Sequence, residues 1–91
     1  MASRAKVRIR LVSQRKACPN GHVVGDEWIV GRKTPAGMCL SAFHSISPFL
    51  MTLRFGGSFP WEPVGEATVC CPDSQVVNAF RLERVTDGED V

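Results

Sequence analysis

Apolar residues change their period once along this chain, and that change limits the folds open to it. Over residues 6–12, KVRIRLV, they alternate, with Val7, Ile9 and Leu11 on one side and Lys6, Arg8 and Arg10 on the other. Successive side chains of a strand point to opposite faces, so this is a strand with one dry and one wet side. Between Met38 and Phe55 the spacing becomes three and four. Cys39, Phe43, Ile46, Leu50 and Leu53 then share one face of a helix. Ser47-Pro48 fits an N-cap followed by Pro at the first helical position, which predicts a kink or two short helices, about 38–46 and 48–55, stopped by Gly56-Gly57.

The remaining segments return to strand-like composition. HVVGDEWIVG is rich in β-branched and aromatic residues and predicts a second strand, with Gly25-Asp26 as a bend or bulge. GRKTPAG reads as a turn and SFPWEPVG as a connection anchored by Phe59 and Trp61. EATVCC and VVNAFRLERV predict two further strands joined by a PDSQ turn, and the acidic segment 86–91 is expected to fray. The order β-β-α-β-β predicts one α+β domain over residues 1–91, with its core in about 6–85. A mostly antiparallel sheet is covered on one face by the kinked helix or the two short ones.

Size and charge bound the function. A chain of 91 residues buries only about 60–65% of the surface it exposes unfolded, so its stability is modest. The net charge of +2 is small. Half of the basic cluster near the start is the wet face of the first strand, without interleaved aromatics, which argues against nucleic acid. No apolar run approaches the ~18 residues that span a bilayer, and MASRAKVRIR lacks the apolar core of a secretion signal. The expectation is a cytoplasmic protein without a membrane partner. In that reducing compartment, four cysteines point to metal ligands, reactive thiols or buried apolar residues ahead of disulfides.

The cysteines have separate positions. Alternation along the third strand puts Ala67, Val69 and Cys71 on one face and Glu66, Thr68 and Cys70 on the other, so Cys71 faces inward and Cys70 outward. Cys39 lies on the apolar stripe of the helix. Cys18 sits in the loop ACPNGH with His22 four residues on, a spacing that lets both side chains reach one ion. Some subset of Cys18, His22, Cys39 and Cys71 therefore reads as a metal site. The same cysteines also read as small core residues, and His22 as a turn cap.

A second chemistry starts from Cys39. A thiol in the first turn of a helix sits at the positive end of the helix dipole, which favours the thiolate. His44 or His22 then serves as proton acceptor and Asp73 as an orienting or protonating group. Phe59 and Trp61 would line the pocket of such an enzyme, or close the core. P-loop, dinucleotide-binding, zinc-protease and nucleophile-elbow signatures are absent from the sequence.

CPNGHVVGDEW, TPAGMCLSAF, SPFLMTLRFGGSFPW and CCPDSQVVNAFRLERV, in this order, resemble a small prokaryotic family of uncharacterised proteins of about this length. That family is built around Cys-Pro-x-Gly-x-x-x-Gly-Asp, Gly-x-Cys-x-x-Ala and Cys-Pro-Asp. The matching positions are Cys18, Gly21, Gly25, Asp26, Gly37, Cys39, Ala42, Cys71, Pro72 and Asp73. The resemblance implies that Cys18, Cys39 and Cys71 act together, and it assigns no activity. With His22 they would complete a Cys₃His set for zinc; with an open position they would suit a catalytic metal or, less readily, an iron–sulfur cluster.

The leading expectation is thus a metal-binding accessory or regulatory protein, with zinc as the metal. The first alternative is a cofactor-free enzyme acting on a small molecule, an isomerase or cyclase of specialised metabolism, that uses Cys39 with His44 or His22 and Asp73. The second is an interaction module with a protein partner and core cysteines. A homo-oligomer is compatible with each.

Overall fold

The computed structural model describes residues 5–85; the segment 86–91 lies outside the described residues. Strands β1 (Val7–Ser13), β2 (Glu27–Val30), β3 (Glu66–Cys70) and β4 (Ala79–Arg84) form one antiparallel sheet in the order β2-β1-β4-β3, and helix α1 (Leu40–Arg54) covers one face. This is the small α+β fold that the change of period predicts. No helix among the described residues is long and apolar enough to cross a membrane.

Register explains which side chains are dry. Ile9 stands opposite Trp28 on β2 and Leu82 on β4, Leu11 opposite Phe80, and Phe80 in turn opposite Val69 on β3. These residues share the inner face, and Val7, Ile9, Leu11, Phe80 and Leu82 are fully buried there against Ile46, Leu50 and Leu53 of α1. The wet face carries ion pairs. Arg8 meets Glu83 at 3.4 Å, Arg10 pairs with Glu27, and Arg81 pairs with Glu62 and Glu66. Two of the cations near the start of the chain are therefore matched by glutamates on neighbouring strands.

Of the alternatives for this segment, the structure has one helix and not two short ones, and it starts two residues beyond the expected position 38. It begins at Leu40 with Cys39 as the N-cap residue, and it runs unbroken through Pro48 as a single helix of 15 residues. Proline removes one backbone donor and normally breaks a helix. Here its ring is exposed, while Ile46, Leu50 and Leu53 on either side of it are buried against the sheet. Burial of that face outweighs the local preference for a break. The Gly56-Gly57 stop is present: Gly56 has φ +91, and the Gly56 and Gly57 N–H groups donate to Leu53 O and Thr52 O.

The far end of α1 is clasped to the sheet. Arg84 Nη1 donates to Leu53 O at 3.0 Å and Gly57 O at 2.8 Å, while Arg54 Nε donates to Ala5 O at 3.1 Å. A cation on the last carbonyls of a helix suits the negative end of its dipole. With that end fixed, the N-terminus of α1 is brought to the opposite edge of the sheet–helix seam. The three cysteines are gathered there.

Candidate functional site, a pocket lined by three thiols

Three chain segments meet at the N-terminus of α1. They are the loop after β1, the start of the helix, and the turn between β3 and β4. Between them lies a pocket of about 300 Å³ lined by Cys18, Cys39 and Cys71, together with Asn20, Asp73 and Asn78. All four cysteines are free thiols, and Cys70 is the exposed one. Strand alternation accounts for the last pair: Cys71, one residue beyond β3, donates its backbone N–H to Asn78 O on the inner side, and Cys70 faces solvent.

The first wall is the Cys-Pro-Asn-Gly turn. Gly21 N–H donates to Cys18 O at 2.9 Å, closing a turn whose last residue takes φ +81. Side chains rarely adopt that left-handed conformation, which is why glycine fits the position. The turn is tied to the rest of the site by Gln14. Its Nε2 donates to His22 O at 2.8 Å and to Asn78 Oδ1 at 2.9 Å, and Arg15 N–H donates to Val76 O at 2.7 Å.

The second wall is the start of α1. Gly37, at φ +78, redirects the chain two residues ahead of Cys39. The backbone N–H of Cys39 donates to His22 Nε2 at 3.0 Å, and Asn20 Nδ2 donates to Cys39 Sγ at 3.2 Å. The thiol makes no capping bond to its own helix. The first intrahelical bond is Phe43 N–H to Cys39 O, and the N–H groups of Leu40, Ser41 and Ala42 find no acceptor among the described residues.

His22 is 6% exposed and stands edge-on to Trp28, ring centroids 5.3 Å apart. Because Nε2 accepts from Cys39 N–H, the ring proton belongs on Nδ1, which lies 3.9 Å from Asp26 Oδ2. The histidine thus positions the backbone of Cys39; no bond joins it to the Cys39 thiol. Its Nε2 lone pair is occupied, and among the described residues no group of three or more His, Cys, Asp or Glu side chains is disposed to hold a metal ion. The residues as they stand do not assemble a Cys₃His set.

The third wall is the turn after Cys71. Asp73 Oδ1 accepts from Gln75 N–H at 2.8 Å and Val76 N–H at 3.2 Å, so this carboxylate shapes the turn as well as lining the pocket. Cys71 Sγ accepts from Asn78 N–H at 3.4 Å. Asn78 itself is 2% exposed. Its Oδ1 is taken by Gln14.

Of the residues singled out from sequence, Cys18, Cys39, Cys71 and Asp73 line this pocket, and His22 touches it through Cys39. His44 is exposed on the outer side of α1 and does not line it. Phe59 and Trp61 lie elsewhere. They stack in a row with Phe49, centroids 5.3 Å apart at each step, away from the thiols.

Gln14, Asn20 and Asn78 were missed. Asn78 carried a usable signal, since it stands in phase with the buried Phe80 and Leu82 and is therefore a polar residue on an apolar face. Gln14 and Asn20 lie in irregular loop, where periodicity says nothing. Compared with protein-family models, with curated proteins and with solved structures, the chain matches none of them.

Proposed function

We propose that the protein is a small cofactor-free enzyme that binds a small organic molecule in the three-thiol pocket and uses Cys39 as the reacting group. The observation that carries this reading is the convergence of Cys18, Cys39 and Cys71 on one pocket, with Cys39 at the N-cap of α1 under the Asn20 amide. A pocket of about 300 Å³ suits a small metabolite. A thiol held by a donor beside free backbone N–H groups is placed to attack, or to exchange a proton with, an electrophilic carbon. Cys18 and Cys71 line the same pocket, and Asp73 is the carboxylate within it. Isomerisation and ring closure need no further reactant, which keeps the chemistry within what these side chains supply.

Site-resolved alkylation tests the reading. With iodoacetamide at neutral pH, followed by peptide mass spectrometry, Cys39 is expected to label about tenfold faster than the exposed Cys70, despite being half-buried. Cys18 and Cys71 are expected to label more slowly than Cys39. Four equal rates, or a fastest thiol at Cys70, would remove Cys39 from the reacting role.

A further inference from the structure

We infer that the substrates of this pocket are small neutral carbonyl compounds, aldehydes above all, with the carbonyl oxygen on the N-terminal N–H groups of α1 and the carbonyl carbon against Cys39 Sγ. The inference rests on the proposed role of Cys39 as the reacting thiol. Two features of the pocket select the class.

The first is a set of donors without acceptors. Ser41 and Ala42 line the pocket, and their backbone N–H groups bond to nothing among the described residues. Asn78 adds a third donor. Gln14 Nε2 donates to its Oδ1, which fixes the amide orientation and leaves Nδ2 as a donor with no acceptor, although the residue is 98% buried. That nitrogen is not fully enclosed, and Asn78 lines the pocket. Donors of this kind beside a nucleophile stabilise an oxygen that gains negative charge as the nucleophile adds to its carbon.

The second is the sign of the lining charge. Asp73 is the one charged side chain among the lining residues, and the Lys16 ammonium nearby bonds to Gln75 Oε1 on the same turn. A carboxylate there repels a ligand that is itself anionic, so acids are disfavoured and their neutral carbonyl counterparts are not. Ala42 and Val76 leave room for a short apolar substituent.

The addition step needs no other reactant. The Cys39 Sγ–carbon bond forms as the carbonyl π pair moves onto oxygen, the thiol gives up its proton, and the oxygen takes one up. The product is a hemithioacetal, and reversal releases the aldehyde unchanged.

The test uses the full chain and two pairs of probes that differ in charge. Rates of labelling by neutral iodoacetamide and anionic iodoacetate are measured at each cysteine, and protection of Cys39 by propionaldehyde is compared with protection by propionate. The iodoacetamide-to-iodoacetate ratio at Cys39 is expected to exceed that at Cys70 by about fivefold, and Asp73→Asn, which keeps the Oδ1 acceptor, should bring the two ratios together. Propionaldehyde should slow Cys39 labelling saturably, and propionate should not. A Cys39 ratio equal to or below that of Cys70, or protection by propionate as good as by propionaldehyde, overturns the inference while fast labelling of Cys39 still stands. Cys39 labelling no faster than Cys70 with iodoacetamide overturns the proposed function and this inference with it.

Discussion

Replacing Phe80 with Ala is expected to destabilise the domain by about 3–5 kcal/mol, a large share of the roughly 5–14 kcal/mol that a chain of this size has to lose. Phe80 is 0% exposed on β4, one of the two central strands, and it stands opposite Leu11 on one side and Val69 on the other. Its ring leans on Trp28, centroids 6.2 Å apart, and Trp28 in turn supports His22. The two flanking strands fix the backbone, so the space left behind cannot close, and the cost is that of lost burial plus a cavity. Urea unfolding followed by circular dichroism measures it. A loss under about 1 kcal/mol would mean that the sheet–helix seam is not the main support of the fold.

Substituting His22 by Leu is expected to act on stability and reactivity together. The change keeps an apolar group under Trp28 but removes the acceptor of the Cys39 N–H, leaving a part-buried donor unpaired at a cost of about 1–3 kcal/mol. With that bond gone, the N-cap residue keeps only the Asn20 amide on its sulfur and the Phe43 N–H on its carbonyl, and Cys39 labelling should fall toward the rate of Cys70. His22→Gln, which keeps an acceptor, should lose less of both. Thermal unfolding and the alkylation rates of the three proteins separate the outcomes. Loss of stability with Cys39 labelling intact would show that His22 is a packing residue without a hand in placing the thiol.

How far the sequence carried depended on whether a residue lay in a periodic segment. Val7, Ile9 and Leu11 alternate cleanly, and the three- and four-residue spacing of Ile46, Leu50 and Leu53 fixes their face, so strands, helix and core followed from pattern alone. The opposite faces of Cys70 and Cys71 followed by the same rule, one exposed and one half-buried against the core. Pro48 left two alternatives open, one helix or two, and the single helix formed because burial of the residues around it outweighs the local preference for a new helix start. The site was harder. That Cys18 and Cys39 share a pocket depends on how the loop after β1 folds back, through Gln14 reaching His22 O and Asn78. Such loop contacts leave no period to read.

The same geometry explains why His22 and His44 part company. Both were candidates to accept a proton from Cys39. His44 lies on the exposed side of α1, whereas His22 is buried beside the helix start but spends its Nε2 on the backbone of Cys39. Of the carboxylates, Asp26 is the one near the histidine and Asp73 the one in the pocket. A linear Cys-His-Asp relay is therefore not what this arrangement offers. Asp73 shares the pocket with Cys39, and no hydrogen bond joins it to His22 among the described residues.

Native mass spectrometry of protein purified without a metal-affinity tag, with elemental analysis of the same sample, bears most directly on a thiol pocket open to organic molecules. The expected result is the mass of the bare polypeptide, no stoichiometric metal, and three pocket thiols that remain available to alkylating reagents. One zinc or iron per chain, lost when Cys18, Cys39 or Cys71 is changed to Ser, would contradict it and make the same three residues a metal centre.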